Sequence, residues 1–203
     1  MSITLVLILI TVVTSVLAFG NSDLFYRLKF NPYMIHHNRQ WYRFFTHSLL
    51  HADWMHLFVN MFVLWSFGSL VEDLFALYFG NKAGIFFLLL YVGGVMFSSL
   101  PAYGKHKNNS YYNAVGASGA VSAVLFSSII MYPHGSIMFI FFPIPIPAWV
   151  FGILYLIYSA YMSKRGTDNI GHDAHFWGAV FGLAFTIALE PSFVPAFFEN
   201  LLG

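Results

Sequence analysis

Cysteine is absent from the 203 residues. With it go disulfides, thiolate metal sites and cysteine nucleophiles. Charge is scarce too: Asp, Glu, Lys and Arg make up 8% of the chain, where soluble domains carry about 25%. The nine basic and eight acidic residues almost cancel, so no field of one sign gathers nucleic acid or acidic substrates. No internal repeat, low-complexity tract or second domain is visible in the sequence. What is present is apolar: 59% hydrophobic, 20% aromatic, mean hydropathy +0.70. Such a chain belongs in a bilayer.

Apolar runs approaching the ~20 residues of a spanning helix occur six times, near 3–19, 54–74, 83–103, 115–132, 147–163 and 173–190. The expected architecture is an all-α polytopic membrane protein, six transmembrane helices in a single domain over residues 1–203. The first run has no basic residue ahead of it and no small-residue cleavage site behind it, and reads as a retained helix. From Gly20 to Asp53 a long segment mixes Arg27, Lys29, Arg39 and Arg43 with Phe25, Tyr26, Trp41, Tyr42, Phe44 and Phe45, a composition suited to the headgroup layer. Glu72 and Asp73 mark the end of the second span, and Tyr132-Pro133-His134-Gly135 closes the fourth. The run from Ser136 to Pro147 is apolar, but Pro143, Pro145 and Pro147 forbid helix. It is expected as an extended piece at the interface, with the fifth helix starting around Pro147.

Six spans make the second, fourth and sixth run in one direction. Their N-terminal turns hold His51, His56 and Asn60, then Ser118, then His172 and His175, all at similar shallow depth given the 1.5 Å rise per residue. Polar side chains inside spans are costly and are functional candidates by default. A serine hydroxyl becomes a nucleophile only when a base removes its proton and donors receive the oxyanion it creates. His175 lies in a stripe of small residues, Ala174, Gly178 and Gly182, and Gly116, Gly119 and Ala120 offer a matching surface around Ser118. Packing those surfaces brings an imidazole to a hydroxyl, a dyad of His175 as general base and Ser118 as nucleophile. The base must be neutral, which histidine's reference pKa of about 6.5 allows. Asp173 would have to turn in from the helix start, so no third member is expected. Donors for the oxyanion are the Asn60 amide, the His56 ring on the same helix face, and the Ser118 N–H. His172 is a candidate helper one turn before His175. His47 and His51 read as structural, Trp54, Trp65, Trp149 and Trp177 as belt or core, and Arg43 and Glu72 as loop anchors.

Four segments in order, Trp41-Tyr42-Arg43-Phe44-Phe45-Thr46-His47, then His51-x4-His56-x3-Asn60, Gly116-Ala117-Ser118-Gly119-Ala120 and Ala174-His175-x2-Gly178-x3-Gly182, resemble the ordered signature of the rhomboid intramembrane serine proteases of the bacterial six-span type. The resemblance implies a rhomboid-like bundle with a long interfacial first loop and cleavage of transmembrane protein substrates. It implies Ser118 as nucleophile, His175 as base, and His56 with Asn60 at the oxyanion. It also implies substrate entry beside a mobile fifth helix or cap loop, no cofactor and no metal, and multi-pass residence in the cell (inner or plasma) membrane. Two positions depart from the family pattern. Tyr42 stands where tryptophan usually precedes the arginine, and Ser122 stands where some members carry an aromatic that stacks on the catalytic histidine. The family orientation, N-terminus in the cytoplasm, puts Lys82 inside and Arg27, Lys29, Arg39, Arg43, Lys105, Lys107, Lys164 and Arg165 outside, against the positive-inside bias.

Other classes leave different traces. Taken alone, Gly-x-Ser-Gly is a packing motif and His56 with Asn60 an interhelical pair. A metal or haem protein would use the series His47, His51, His56, but no HExxH is present. A catalytically silent rhomboid relative that binds membrane clients would normally lack the serine or the histidine, and both are here. A channel or transporter would show broken helices in inverted halves, and none is visible.

Overall fold

The computed structural model describes residues 2–139, 142–166 and 170–202. The helix at its centre is α7 (Ser118–Met131), buried at every residue from Gly119 to Ile130. Gly119, Ala120 and Ala123 make one face of α7 nearly flat, and two neighbours close onto it. In lipid no hydrophobic force drives helices together, so such close packing supplies the attraction.

One neighbour is α9 (His172–Leu189). A Cβ on Gly178 would stand 2.1 Å from the Gly119 carbonyl oxygen, and one on Gly182 would stand 2.1 Å from that of Ala123. Both contacts advance four residues along each chain, so α7 and α9 are parallel. The other neighbour, α6 (Ala83–His106), brings Gly94 against Ala120 and Ala123 and Ser98 against Gly119. That order is reversed, so α6 is antiparallel to α7. Leu57, Met61 and Leu64 of α5 (Trp54–Phe79) join Ala117, Ala120 and Val124 in the same core. The α1 helix (Ile3–Phe19) lies outside α5, setting Thr4 against Gly68, and buries Thr4, Thr11 and Ser15. On the far side, α8 (Ala148–Arg165) buries only Ala148, Gly152 and Ser159.

The stretch Trp54–His106 is long and apolar enough to cross a membrane. It folds back at the 3-10 turn Gly80–Lys82, where the Phe79 and Phe86 rings lie 5.2 Å apart, so it is a helical hairpin. The apolar helices Ile3–Phe19 and Ser118–Met131 are shorter.

The helices differ from expectation in definable ways. Glu72 and Asp73 do not end the second helix, which continues to Phe79. Glu72 accepts hydrogen bonds from the Ser2 hydroxyl (2.6 Å) and from the N–H groups of Ile3 (2.7 Å) and Thr4 (3.0 Å). It thus sits against the positive end of α1, where the helix dipole and orphan donors hold a carboxylate. The chain is also not purely helical. Strands β1 (Ser136–Phe139) and β2 (Phe142–Pro147) pair antiparallel, with Ser136 opposite Pro147 and Phe139 opposite Phe142. The extended segment foreseen from its prolines is therefore a hairpin. A two-stranded ribbon has only edges, and an edge tolerates residues without an N–H. The first loop, read as interfacial, holds α2 (Ser22–Leu28), α3 (Pro32–Asn38) and α4 (Arg43–Thr46). After α9 the chain turns by 110° into α10 (Phe193–Leu202).

Candidate active site

The first loop builds the floor on which Ser118 stands. Arg43 is buried, donating from Nη1 to the carbonyls of Tyr26 (2.8 Å) and Lys29 (2.7 Å) and from Nε to Gln40 Oε1 (2.6 Å). One guanidinium so joins the end of α2 to Gln40 through three bonds, as only a planar fork can. Phe30 and Ala114 exchange two backbone hydrogen bonds, and Asn31 Nδ2 donates to Asn113 Oδ1 (2.9 Å) and the Ser110 carbonyl (3.1 Å). The Gly116 N–H donates to the His47 carbonyl (3.0 Å). The loop ahead of the serine is thus sewn to the first loop.

Two histidines of this scaffold are buried and neutral. His47 donates from Nδ1 to the Arg43 carbonyl (3.0 Å), and burial pushes its pKa down to about 4. His51 pairs with the Ser15 hydroxyl (3.0 Å), and burial, aided by His56, pushes it down to about 3. Both are tied to backbone or side-chain partners within the scaffold. The His51 ring meets that of His56 edge to face, centroids 4.9 Å apart.

His56 stands on the first turns of α5, after Asp53 caps the helix by accepting the His56 N–H (2.8 Å). Its Nδ1 accepts the Ala52 N–H at 3.4 Å, which leaves the proton on Nε2. Gly116 has φ +123°, and a Cβ there would lie 3.0 Å from His56 Nε2 and 3.8 Å from Ser118 Oγ. The donor and the hydroxyl therefore border one small space, kept open because residue 116 has no side chain. Asn60 is buried one turn further in, its amide donating to the His56 carbonyl (2.9 Å).

Ser118 is the first residue of α7, and the first helical bond joins the Val121 N–H to the Ala117 carbonyl. The N–H groups of Ser118, Gly119 and Ala120 thus precede the helix's own hydrogen-bond ladder, a place that favours negative charge. His175 stands on the first turn of α9, one turn before Gly178, with the Ala174 carbonyl 3.4 Å from where a Gly119 Cβ would be. The parallel packing of α7 and α9 so brings the His175 and Ser118 turns side by side, both residues half-buried. The ring of Tyr155 on α8 stacks on His175, centroids 6.2 Å apart and planes 27° off parallel. Asp173 accepts a hydrogen bond from the Ser163 hydroxyl on α8. His172 is buried, with its ring edge to face with those of Tyr158 (5.4 Å) and His175 (5.9 Å).

All four foreseen site residues, Ser118, His175, His56 and Asn60, lie on the opening turns of three helices, α7, α9 and α5. Among the described residues no group of three or more His, Cys, Asp or Glu comes together as a metal site. Sequence reading passed over Tyr155, because an aromatic in an aromatic-rich span carries no mark of its partner. It also left Gln40 and Asn31 without roles, since what they hold is distant backbone.

Apolar helices packed through glycine, with polar residues gathered at the openings of three of them, define an integral membrane protein of the helical-bundle class. The chain belongs to the rhomboid family: the family model described as Rhomboid domain matches residues 38–192. It is 29% identical over 142 residues to Rhomboid protein 1, mitochondrial, of Saccharomyces cerevisiae, covering 66% of this chain and 38% of that one. To RHOMBOID-like protein 12, mitochondrial, of Arabidopsis thaliana it is 30% identical over 142 residues, covering 66% and 42%. To the human Presenilin-associated rhomboid-like protein, mitochondrial, it is 28% identical over 143 residues, covering 66% and 34%. The chain spans about two fifths or less of the length of these relatives.

Proposed function

We propose that this protein is an intramembrane serine endopeptidase that cleaves transmembrane-helix substrates with a Ser118–His175 dyad. In this reading α1, α5, α6, α7, α8 and α9 are the six crossings, and the polar residues open to water just beneath one leaflet. The observation that carries it is the space above Gly116, bordered by Ser118 Oγ and the proton-bearing Nε2 of His56.

A scissile carbonyl seated there has its nucleophile on one side and its oxyanion donors on the other. His175 takes the Ser118 proton as Oγ bonds the carbonyl carbon. The oxyanion is received by His56 Nε2–H, the Asn60 amide and the N–H groups opening α7, donors in place before reaction. Collapse breaks the C–N bond, and the leaving amine takes the proton from His175. Water then hydrolyses the acyl-enzyme by the same route. A helical substrate must unwind first, because its carbonyls are engaged in their own hydrogen bonds. Segments with small or helix-breaking residues are accordingly the favoured class. Entry beside α8 fits its shallow burial.

The test is incubation of the purified chain, and of Ser118→Ala, with a single-span substrate in lipid. Cleavage by the first and none by the second is expected; equal products from both, or none from either, overturn the proposal. We assign the protein to the cell (inner or plasma) membrane. The relatives above carry mitochondrial names, so imaging of a fluorescent fusion decides that assignment.

A further inference from the structure

A general base works only while its ring is held in line with the nucleophile. Asp173 is engaged by Ser163. The ring stacked on His175 belongs to Tyr155, and that ring is itself tied down. Ser122 Oγ donates to the Ser118 carbonyl at 2.8 Å. The short contact between the Ser122 and Tyr155 hydroxyls, 2.6 Å, is then a bond that Tyr155 donates. Phe126 and Phe151 flank the same ring, centroids 5.5 and 5.7 Å away. The phenol is thus pinned at its tip to the helix of the nucleophile and laid by its face along the base.

We propose that Tyr155 is a positioning residue for His175, held in place by a relay through Ser122 to the Ser118 backbone. The inference rests on the hydrolase reading and deepens it. A 6.2 Å separation at 27° is an offset stack within the favourable range for aromatic pairs. It restricts rotation of the imidazole out of line with Ser118 Oγ. The device is shared among three helices: the nucleophile stands on α7, the base on α9, and the ring that aligns them on α8. Since α8 buries only three residues, its seating also sets the alignment of the base.

The experiment measures cleavage of a single-span substrate in lipid and fluorophosphonate labelling of Ser118, with a thermal melt for each variant. Tyr155→Leu is expected to lower kcat and the labelling rate by about 10²-fold, as misplacement of a catalytic group by an ångström does, while KM stays within about twofold. Tyr155→Phe keeps the stack without the relay and is expected between wild type and Tyr155→Leu, with Ser122→Ala resembling it. Wild-type kcat in Tyr155→Leu, a loss confined to KM, or Tyr155→Phe as slow as Tyr155→Leu would overturn the proposal. Should Tyr155→Leu fail to fold, Tyr155→Phe and Ser122→Ala decide, and wild-type rates in both overturn it. A wild type that neither cleaves nor labels at Ser118 removes the hydrolase reading itself, a result distinct from all of these.

Discussion

Gly178 lies so close to Gly119 that a methyl group on it would stand 2.1 Å from the Gly119 carbonyl oxygen. Backbone cannot retreat from such a contact as a side chain can, so the helices would have to separate. Gly178→Ala is therefore expected to lower the melting temperature in detergent and abolish cleavage, because the His175 turn moves with α9. Gly104→Ala is the control: nothing lies within 4 Å of its Cβ, and alanine in a helix interior should be neutral or stabilising by up to about 1 kcal/mol. Equal melting of the two variants would show that the close approach is dispensable.

Ser118 and His175 act as one unit in the proposed mechanism. Each alanine substitution alone should abolish turnover, and the double variant should be no slower than either, because removing one partner already disables the other. Additive losses in single-turnover assays would count against a dyad.

His56 and Asn60 are proposed to act on the oxyanion alone. Replacing either by alanine should cost about 10²–10³ in kcat with the fold intact. Because His56 Nε2 faces the reaction space and the Asn60 amide donates to the His56 carbonyl, His56→Ala is expected to be the more damaging. A thermal melt beside the rate separates this from unfolding.

His47 and His51 give stability a direction with pH. Both have folded pKa values below the unfolded value near 6.5, about 4 and about 3. The unfolded chain therefore binds more protons as pH falls below 6.5, and stability present above that pH is lost toward pH 4. Each group contributes up to about 1.4 kcal/mol per pH unit across that window. Melting temperatures between pH 7.5 and pH 4.5 should fall, and an uncharged replacement such as His47→Gln should flatten the slope even if it lowers the value at pH 7.5.

Arg43 ties the end of α2, at the Tyr26 and Lys29 carbonyls, to Gln40. Arg43→Ala leaves two part-buried carbonyls without this donor and should destabilise by about 1–3 kcal/mol. Arg43→Lys should recover only part, since an ammonium lacks the fork. Circular dichroism melts of the two variants check both statements.

The linear order of residues was enough for the membrane class, most helix positions and the extended proline segment, and it singled out the four residues proposed for the site. Hydropathy, proline and the spacing of small residues along one helix face are local properties, legible wherever they occur. Glu72 misled for the same reason: a carboxylate reads locally as the end of a span, and its partners on α1 lie 68 to 70 residues away. Three further matters were settled only when the helices met. The ring stacked on His175 is that of Tyr155 on α8, 33 residues along the chain from Ser122, to which it is bonded. The His56 proton stands on Nε2 because a loop N–H happens to reach Nδ1. The serine loop is held by Phe30, Asn31 and His47. Each depends on which surfaces come to face one another, and a side chain's neighbour across a bundle leaves no trace in the residues beside it.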